Sequence, residues 1–393
     1  MEKKTLWIHA GGSKTGSSAL QNFFEFNTDF LNSQGFAYTN KSGVQKEGDI
    51  GSGNGMLLFG FFMNNTLSKE ELSDVLLSYF ESSLSNALCS SEFLQYLTEE
   101  SVLMIIDVAQ ENFIEVKWIY YIRNAVSFFV SAYDQLIKRH GEWRNILETS
   151  QERSWDHLQS LKLFSKVIPK DNLYVHSYEL SKSKLIAHFM DVLGVKLEQD
   201  IIQKKVNVQR VNRSLTLQER ELLRRINKEF GDKYSTEISD KLIYKNPDLV
   251  SEYEWDDSLI KHLADRYHND IKWVNDTFFN GLSVIKIYDD SLIEKSNSTL
   301  SQEDEKSIDN EVLEWCLEKI KALEENAINL TIPFVAKRLS AIDWENASNP
   351  AIPEDFNPFA YLLFNPDLLR NNVLPYNHFI QHGQFEKERV FKW

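Results

Sequence analysis

Apolar and polar positions alternate between two periods along the first half of the chain. TLWIHAGG (5–12) is a short apolar run stopped by glycines, the form of a buried strand. SSALQNFFEFN (17–27) follows, with Leu20, Phe23 and Phe24 at helical spacing, and predicts a helix with one apolar face. EELSDVLLSYFESSLSNA (70–87) predicts a second amphipathic helix, and LCSSEFLQYL (88–97) a short strand turning into a helix. SVLMIIDVA (101–109) and VKWIYYIR (116–123) are apolar, β-branched or aromatic runs, which predicts two central parallel strands. AVSFFVSAYDQLIKRHG (125–141) predicts a helix stopped by Gly141. NLYVHSYEL (172–180) predicts a strand and SKLIAHFMDVLGV (183–195) the helix after it. Strand and helix taking turns in this way predict an α/β domain with a mainly parallel sheet.

From about residue 215 the pattern is helical, through TLQERELLRRINKEFG and SLIKHLADRYHNDIKWVNDTFFNG. DDSLIEKSNSTLSQEDEKS (289–307) has the composition of a linker, and IDNEVLEWCLEKIKALEENA (308–327) predicts a further helix. The end of the chain is dense in Pro, Asn and aromatics, with Asn-Pro starts that suit short helices. Aromatic density there suits glycan contact or packing against the main domain, and packing is the favoured reading. The expected division is an α/β domain over 1–285, a linker and helical segment over 286–345, and a small helical module over 346–393.

Composition narrows the choice of partners. With 393 residues and 42% hydrophobic content the chain can bury a large core. A formal net charge of -15 disfavours non-specific binding to nucleic acid or anionic lipid. An anion is then held only by a local basic cluster. Cys89 and Cys316 are far apart and belong to no Cys/His ligand spacing, so no metal is expected. Residues 1–4 run directly into the first strand, without a leader pattern, and no apolar run has the length of a membrane span. A cytoplasmic protein without a transmembrane segment is expected.

The loop between the first strand and helix carries the strongest chemical signal. Backbone N–H groups of a Gly/Ser loop at a helix N-terminus form an anion site, and Ser17 and Ser18 add hydroxyls. In an ATP-type P-loop, Lys directly follows the last glycine; here Lys14 precedes Gly16. The bland alternative is an ordinary strand–helix turn. Arg123 shifts the balance, since it stands at the carboxyl end of a predicted strand, where parallel sheets bind ligands. Ser127 and Ser131 follow one helical turn apart on one face. Two anion sites at two strand ends suit a ligand with two separated phosphates.

Lys14-Thr15-Gly16-Ser17-Ser18 after the first strand, with Arg123, Ser131 and then Tyr133, resembles the two motifs of sulfotransferases that use 3′-phosphoadenosine-5′-phosphosulfate (PAPS). HAGGSKTGSSALQ and SAYDQ are most similar to bacterial members that sulfate carbohydrates, as are VNRSL and WVNDTFF. The resemblance spans roughly residues 5 to 280 and implies a P-loop-like three-layer domain. It implies that the Lys14 loop holds the 5′-phosphosulfate, and Arg123 with Ser131 the 3′-phosphate. Lys14 would then stabilise the oxygen bridging phosphate and sulfate as charge develops there. The implied acceptor is a hydroxyl of a glycan, polysaccharide or glycolipid, and the implied product of PAPS is 3′-phosphoadenosine-5′-phosphate (PAP).

The acceptor needs a base. Glu92 lies just past the strand end in LCSSEFL, where Glu often serves in sugar and tyrosine sulfotransferases. The alternative is that Glu92 caps the following helix; His176 and His140 are weaker candidates for the base. Lys204, Lys205, Arg210 and Arg213 form the one basic cluster of QKKVNVQRVNRS (203–214). These residues suit a lid over the nucleotide, with Arg210 the expected contact, while a solvated basic face is the favoured reading for at least two of the four. Two rival functions remain. One is a nucleotide kinase or other P-loop NTPase, for which VLMIID ending at Asp107 would be the metal-binding strand. The other is a nucleotide-binding protein of the same fold without catalysis.

Overall fold

The computed structural model describes residues 3–39, 52–63, 68–80, 83–197, 213–247, 249, 257–288, 315, 342–365, 367–368, 371 and 373–386. Five strands form one parallel sheet: β1 (Lys4–His9), β2 (Phe36–Ala37), β3 (Asn86–Ser90), β4 (Ile114–Ile122) and β5 (Leu173–Ser177), in the order β2-β3-β1-β4-β5. β1 is central. The chain builds β2 and β3 on one side of it, then crosses to build β4 and β5 on the other. Loops at the carboxyl ends therefore diverge around β1, which opens a crevice there.

Side-chain alternation on the two inner strands sorts the core into two layers. Leu6 and Ile8 of β1, with Trp118, Tyr120 and Ile122 of β4, pack on one face under the helices Glu99–Glu111, Ala125–His140, Asp156–Val167 and Asp257–Phe278. Trp7, Ile119 and Tyr121 pack on the other, against Leu20, Phe23 and Phe24 of the helix Ser17–Phe26 and Phe189 and Met190 of Leu185–Val192. Both faces are covered, which is why the carboxyl-terminal halves of the inner strands, residues 6–8 of β1 and 118–122 of β4, are continuous apolar or aromatic runs. This is the three-layer α/β arrangement that the alternation of elements predicts.

Two local expectations are corrected. SVLMIIDVA is not a strand but the middle of the 13-residue helix Glu99–Glu111. Val102, Ile105, Val108 and Ala109 are buried, whereas Leu103 is 42% exposed, a helical spacing hidden in a β-branched run. The Thr98 side chain accepts the Ser101 N–H, and Glu99 and Glu100 fill the first turn, so the helix start is well marked. The second helix is also shorter than its pattern: it covers Lys69–Leu77, and β3 already begins at Asn86.

The chain divides into two compact units, 1–308 and 309–393. The expected linker at 289–307 and almost all of the expected helix at 308–327 lie outside the described residues. In the second unit Phe356 packs against Tyr361, Tyr376 and Phe379, so these aromatics form a core of their own. Asp343 fastens it by accepting the N–H groups of Tyr376 and Asn377 at 3.2 and 2.8 Å. Among the described residues no helix is long and apolar enough to cross a membrane.

Candidate functional site

The loop after β1 has the backbone of an anion cradle. Ala10 still bonds to β4, its N–H donating to the Ile119 carbonyl at 3.2 Å. The chain then turns through two left-handed residues, Lys14 (φ 63°) and Gly16 (φ 78°). Left-handed residues among right-handed ones turn successive N–H groups inward. Lys14 holds this conformation with a side chain, at a cost of roughly 1 kcal/mol. Helix Ser17–Phe26 begins at Gly16 without a side-chain cap; the Ala19 N–H turns back to the Gly16 carbonyl at 3.0 Å, so a ligand at this end would meet the N–H groups of Ser17 and Ser18. The Ser17 hydroxyl is buried without a partner, and so is His9 Nε2 below the loop, whose Nδ1 meets Ser90 Oγ at 2.9 Å. Thr15 differs: its hydroxyl donates to the Gly12 carbonyl, so its side chain braces the loop. Ser18 is exposed at the helix start.

Lys14 is half-buried, and burial lowers its pKa. The negative charge of Glu92 is the next influence and opposes that shift, while Arg123 and Arg139 add to it. Glu92 thus lies in the electrostatic neighbourhood of Lys14. It stands first in the short 3-10 helix Glu92–Tyr96, at the carboxyl end of β3. Ser91 N–H donates to the His9 carbonyl at 3.1 Å, keeping this turn beside β1. Gln95 Oε1 accepts the Ser13 N–H at 3.2 Å, joining the same turn to the loop. Helix capping does not fall to Glu92, because the Ser91 hydroxyl accepts the Phe93 N–H.

Arg123 follows β4 and reaches across to the first loop. Its Nη1 donates to the Lys14 carbonyl at 2.9 Å, so the two motifs lie side by side. The guanidinium lies 5.3 Å from the Tyr178 ring centre, and Nε is 3.8 Å from Glu179, with no hydrogen-bond partner of its own. Ser127 is buried with an unpartnered hydroxyl, and Ser131, one turn further on, is half-buried. The Val126 N–H at the same helix start is bonded to the Ile287 carbonyl at 2.9 Å. A ligand at this second site therefore depends mainly on side chains. Tyr133 is turned away to structural use, its hydroxyl donating to the Arg144 carbonyl at 2.7 Å.

Tyr178 and Glu179 were hidden by a predicted strand that runs too far. β5 ends at Ser177, whose hydroxyl accepts the Leu180 N–H and starts a short helix. The chain turns there, and Tyr178 and Glu179 reach the crevice. A Cβ on Gly16 would stand 2.5 Å from Leu185 Cδ2 and 3.5 Å from Tyr178 Cε2, so this wall closes on the loop at Gly16, where the positive φ of 78° already favours glycine. Ser177 before the helical turn was the local signal that marks the strand's end.

Other candidates fall elsewhere. Asp107 is exposed on the helix Glu99–Glu111 and not at a strand end, which removes the metal-binding aspartate of the NTPase alternative. His140 is exposed at the last position of its helix. His176 is packed among Tyr121 and His188, and burial pushes it down to about 4. Lys204, Lys205 and Arg210 lie outside the described residues. Arg213 is not part of a solvated face: it forms a two-pronged buried pair with Glu219, both distances 2.7 Å. Among the described residues, no group of three or more His, Cys, Asp or Glu side chains gathers as a metal site.

Fold and site together define a parallel α/β domain in which the loops after β1 and β4 lie side by side at the carboxyl end of the sheet. No protein-family model and no curated protein matches the chain. Among solved structures, it is similar to a sulfotransferase from Alicyclobacillus acidocaldarius, at 13% identity over 71% of this chain and 97% of that one, with a TM-score of 0.36. It is also similar to mouse sulfotransferase SULT7A1 complexed with PAP, at 14% identity over 64% and 87% of the two chains and a TM-score of 0.31. A third similar structure is the sulfotransferase domain from the curacin biosynthetic pathway, at 12% identity, 68% and 98% coverage, and a TM-score of 0.29.

Proposed function

We propose that this protein is a sulfotransferase that moves the sulfuryl group of PAPS to a hydroxyl of a carbohydrate acceptor. One observation carries the reading: the Arg123 guanidinium hydrogen-bonds the Lys14 carbonyl at 2.9 Å, so the two motifs matched in sequence order share one crevice. A single dianion needs only one of them. The unpartnered hydroxyls of Ser17 and Ser127 and the unpartnered Arg123 Nε support polar ligand groups at both ends.

In this reading the β1 loop, with Lys14, Gly16, Ser17 and Ser18, holds the 5′-phosphosulfate, and Arg123, Ser127 and Ser131 hold the 3′-phosphate. Tyr178 offers its ring face beside Arg123. Arg210 is assigned to the nucleotide by resemblance alone. The acceptor oxygen attacks sulfur while its proton passes to the Glu92 carboxylate. The bond from sulfur to the bridging oxygen breaks, and that electron pair stays with the departing phosphate of PAP. Lys14 donates a hydrogen bond to the same oxygen. No metal is required to balance these steps.

Calorimetry tests the ligand. PAP is expected to bind more tightly than ADP, whose two phosphates are adjacent. Arg123→Ala is expected to weaken PAP by about 10- to 150-fold, and adenosine 5′-monophosphate far less, for a charge-assisted bond worth about 1.5–3 kcal/mol. Equal affinities for PAP and ADP refute the reading. An acceptor screen with labelled PAPS over sugars, lipid-linked oligosaccharides and phenols identifies the hydroxyl.

The pH profile tests Lys14. Its burial lowers its pKa, so the high-pH limb of turnover is expected to fall below the ordinary lysine range near 10.4. Glu92 raises the Lys14 pKa. Removing that charge in Glu92→Gln is therefore expected to move the limb of the residual activity further down. A limb that stays in place, or moves up, shows that the two groups are not coupled.

A further inference from the structure

We propose that His157 is a positioning residue that locks the β1 and β4 loops together and so sets the separation of the two phosphate sites. The second half of this statement rests on the PAPS reading; the first half does not.

His157 is fully buried near the start of the helix Asp156–Val167. Its Nε2 lies 2.7 Å from the Ser13 carbonyl, and its Nδ1 lies 3.1 Å from the Arg123 backbone nitrogen. A carbonyl can only accept and an N–H can only donate. The ring is therefore the neutral tautomer with its proton on Nε2, and both nitrogens are in use. The two partners belong to the two anion loops. Burial supports the same state, pushing the imidazole down to about 3.

The surroundings are shaped for this contact. A Cβ on Gly12 would stand 2.5 Å from the Tyr121 carbonyl and 2.8 Å from His157 Nε2, so glycine is what lets the loop come this close. Phe128 and Tyr120 pack on the ring at 4.7 and 6.1 Å between centres and leave it little freedom. Ser13 is gripped at both ends of its backbone, its N–H by Gln95 and its carbonyl by His157. Gln95 belongs to the turn that carries Glu92, and Ser160, one turn after His157, donates to the Gln95 carbonyl at 3.1 Å. A histidine that merely fills a core needs none of these links to two separate loops.

Hydrogen exchange on the ligand-free protein tests the lock. In His157→Phe the amides of 11–18 and of 123–128 are expected to lose protection together. His157→Gln, with a donor and an acceptor on one planar group, is expected to restore most of it. If the Phe variant does not fold, His157→Asn, too short to span both partners, replaces it with the same expectation. Loss confined to one loop, or no loss, overturns the proposal. The ligand arm compares PAP with adenosine 5′-monophosphate. The preference for PAP is expected to drop about 10-fold in the Phe variant, on the scale of one or two hydrogen bonds. Combination with Arg123→Ala is expected to add little. A fall in melting temperature with an unchanged preference overturns the spacing role. Failure of the wild type to bind PAP refutes the sulfotransferase reading instead, and the exchange result still decides the lock.

Discussion

Glu92→Gln is expected to bind PAPS as the parent protein does and to lose turnover by roughly two to four orders of magnitude. The amide keeps the shape of the side chain but cannot take a proton from the acceptor. Folding has little reason to respond. Ser91 supplies the cap of the turn, and Gln95 supplies its bond to the loop, so neither needs the Glu92 charge. What does change is the field at Lys14, which Glu92 raises. Single-turnover kinetics with saturating PAPS separates the two effects, because a shifted Lys14 is restored at lower pH and a missing base is not. A rate within a few-fold of the parent at every pH, or a lost rate that tracks lost stability, eliminates Glu92 as the base.

Acid is expected to destabilise the fold well before the carboxylates titrate. Burial pushes His9 and His157 down to about 3 and His176 down to about 4. In the unfolded chain each of them takes up a proton near pH 6.5. The unfolded state therefore binds more protons, and stability is lost as pH falls through that value. At pH 5 each ring is worth about 2 kcal/mol of lost stability, so the three together reach the lower end of a whole domain's stability, about 5 kcal/mol. Asp156 and Glu179, held above the ordinary range by burial, act in the opposite direction, but only nearer the carboxylate range. Urea titrations at pH 7 and pH 5 measure the slope. His176→Gln is expected to remove about a third of it. Equal stability at the two pH values refutes the account.

These outcomes rest on features that differ in how far the chain order reveals them. The strand–loop–helix around Lys14 is local: β1 stops at glycines, the helical spacing of Leu20, Phe23 and Phe24 follows, and the backbone between them has no choice but to turn. Arg123 is equally local, as the residue that ends the apolar run of β4. Where local period was ambiguous, the reading failed. An apolar run such as SVLMIIDVA suits a strand or a helix, and burial against the β1 face decided for a helix. The run through NLYVHSYEL hid the turn at Ser177 that delivers Tyr178 and Glu179. The pairing of Arg213 was not legible in its basic cluster, because its partner Glu219 becomes available only when the helix start folds its capping box around it.

The primary sequence determined which segments form the loops after β1 and β4, because strand ends and helix starts are written in a few consecutive residues. It put Arg123 and the Lys14 loop at strand ends facing one crevice, but it did not determine what joins them. That follows from the strand order, which sets β1 between β3 and β4 and brings His9, Ser91, Arg123 and His157 together from separate parts of the chain. A side chain such as His157 has no local pattern of its own. Its role exists only once two loops, each satisfied by its own backbone turn, leave one carbonyl and one N–H facing the same buried ring.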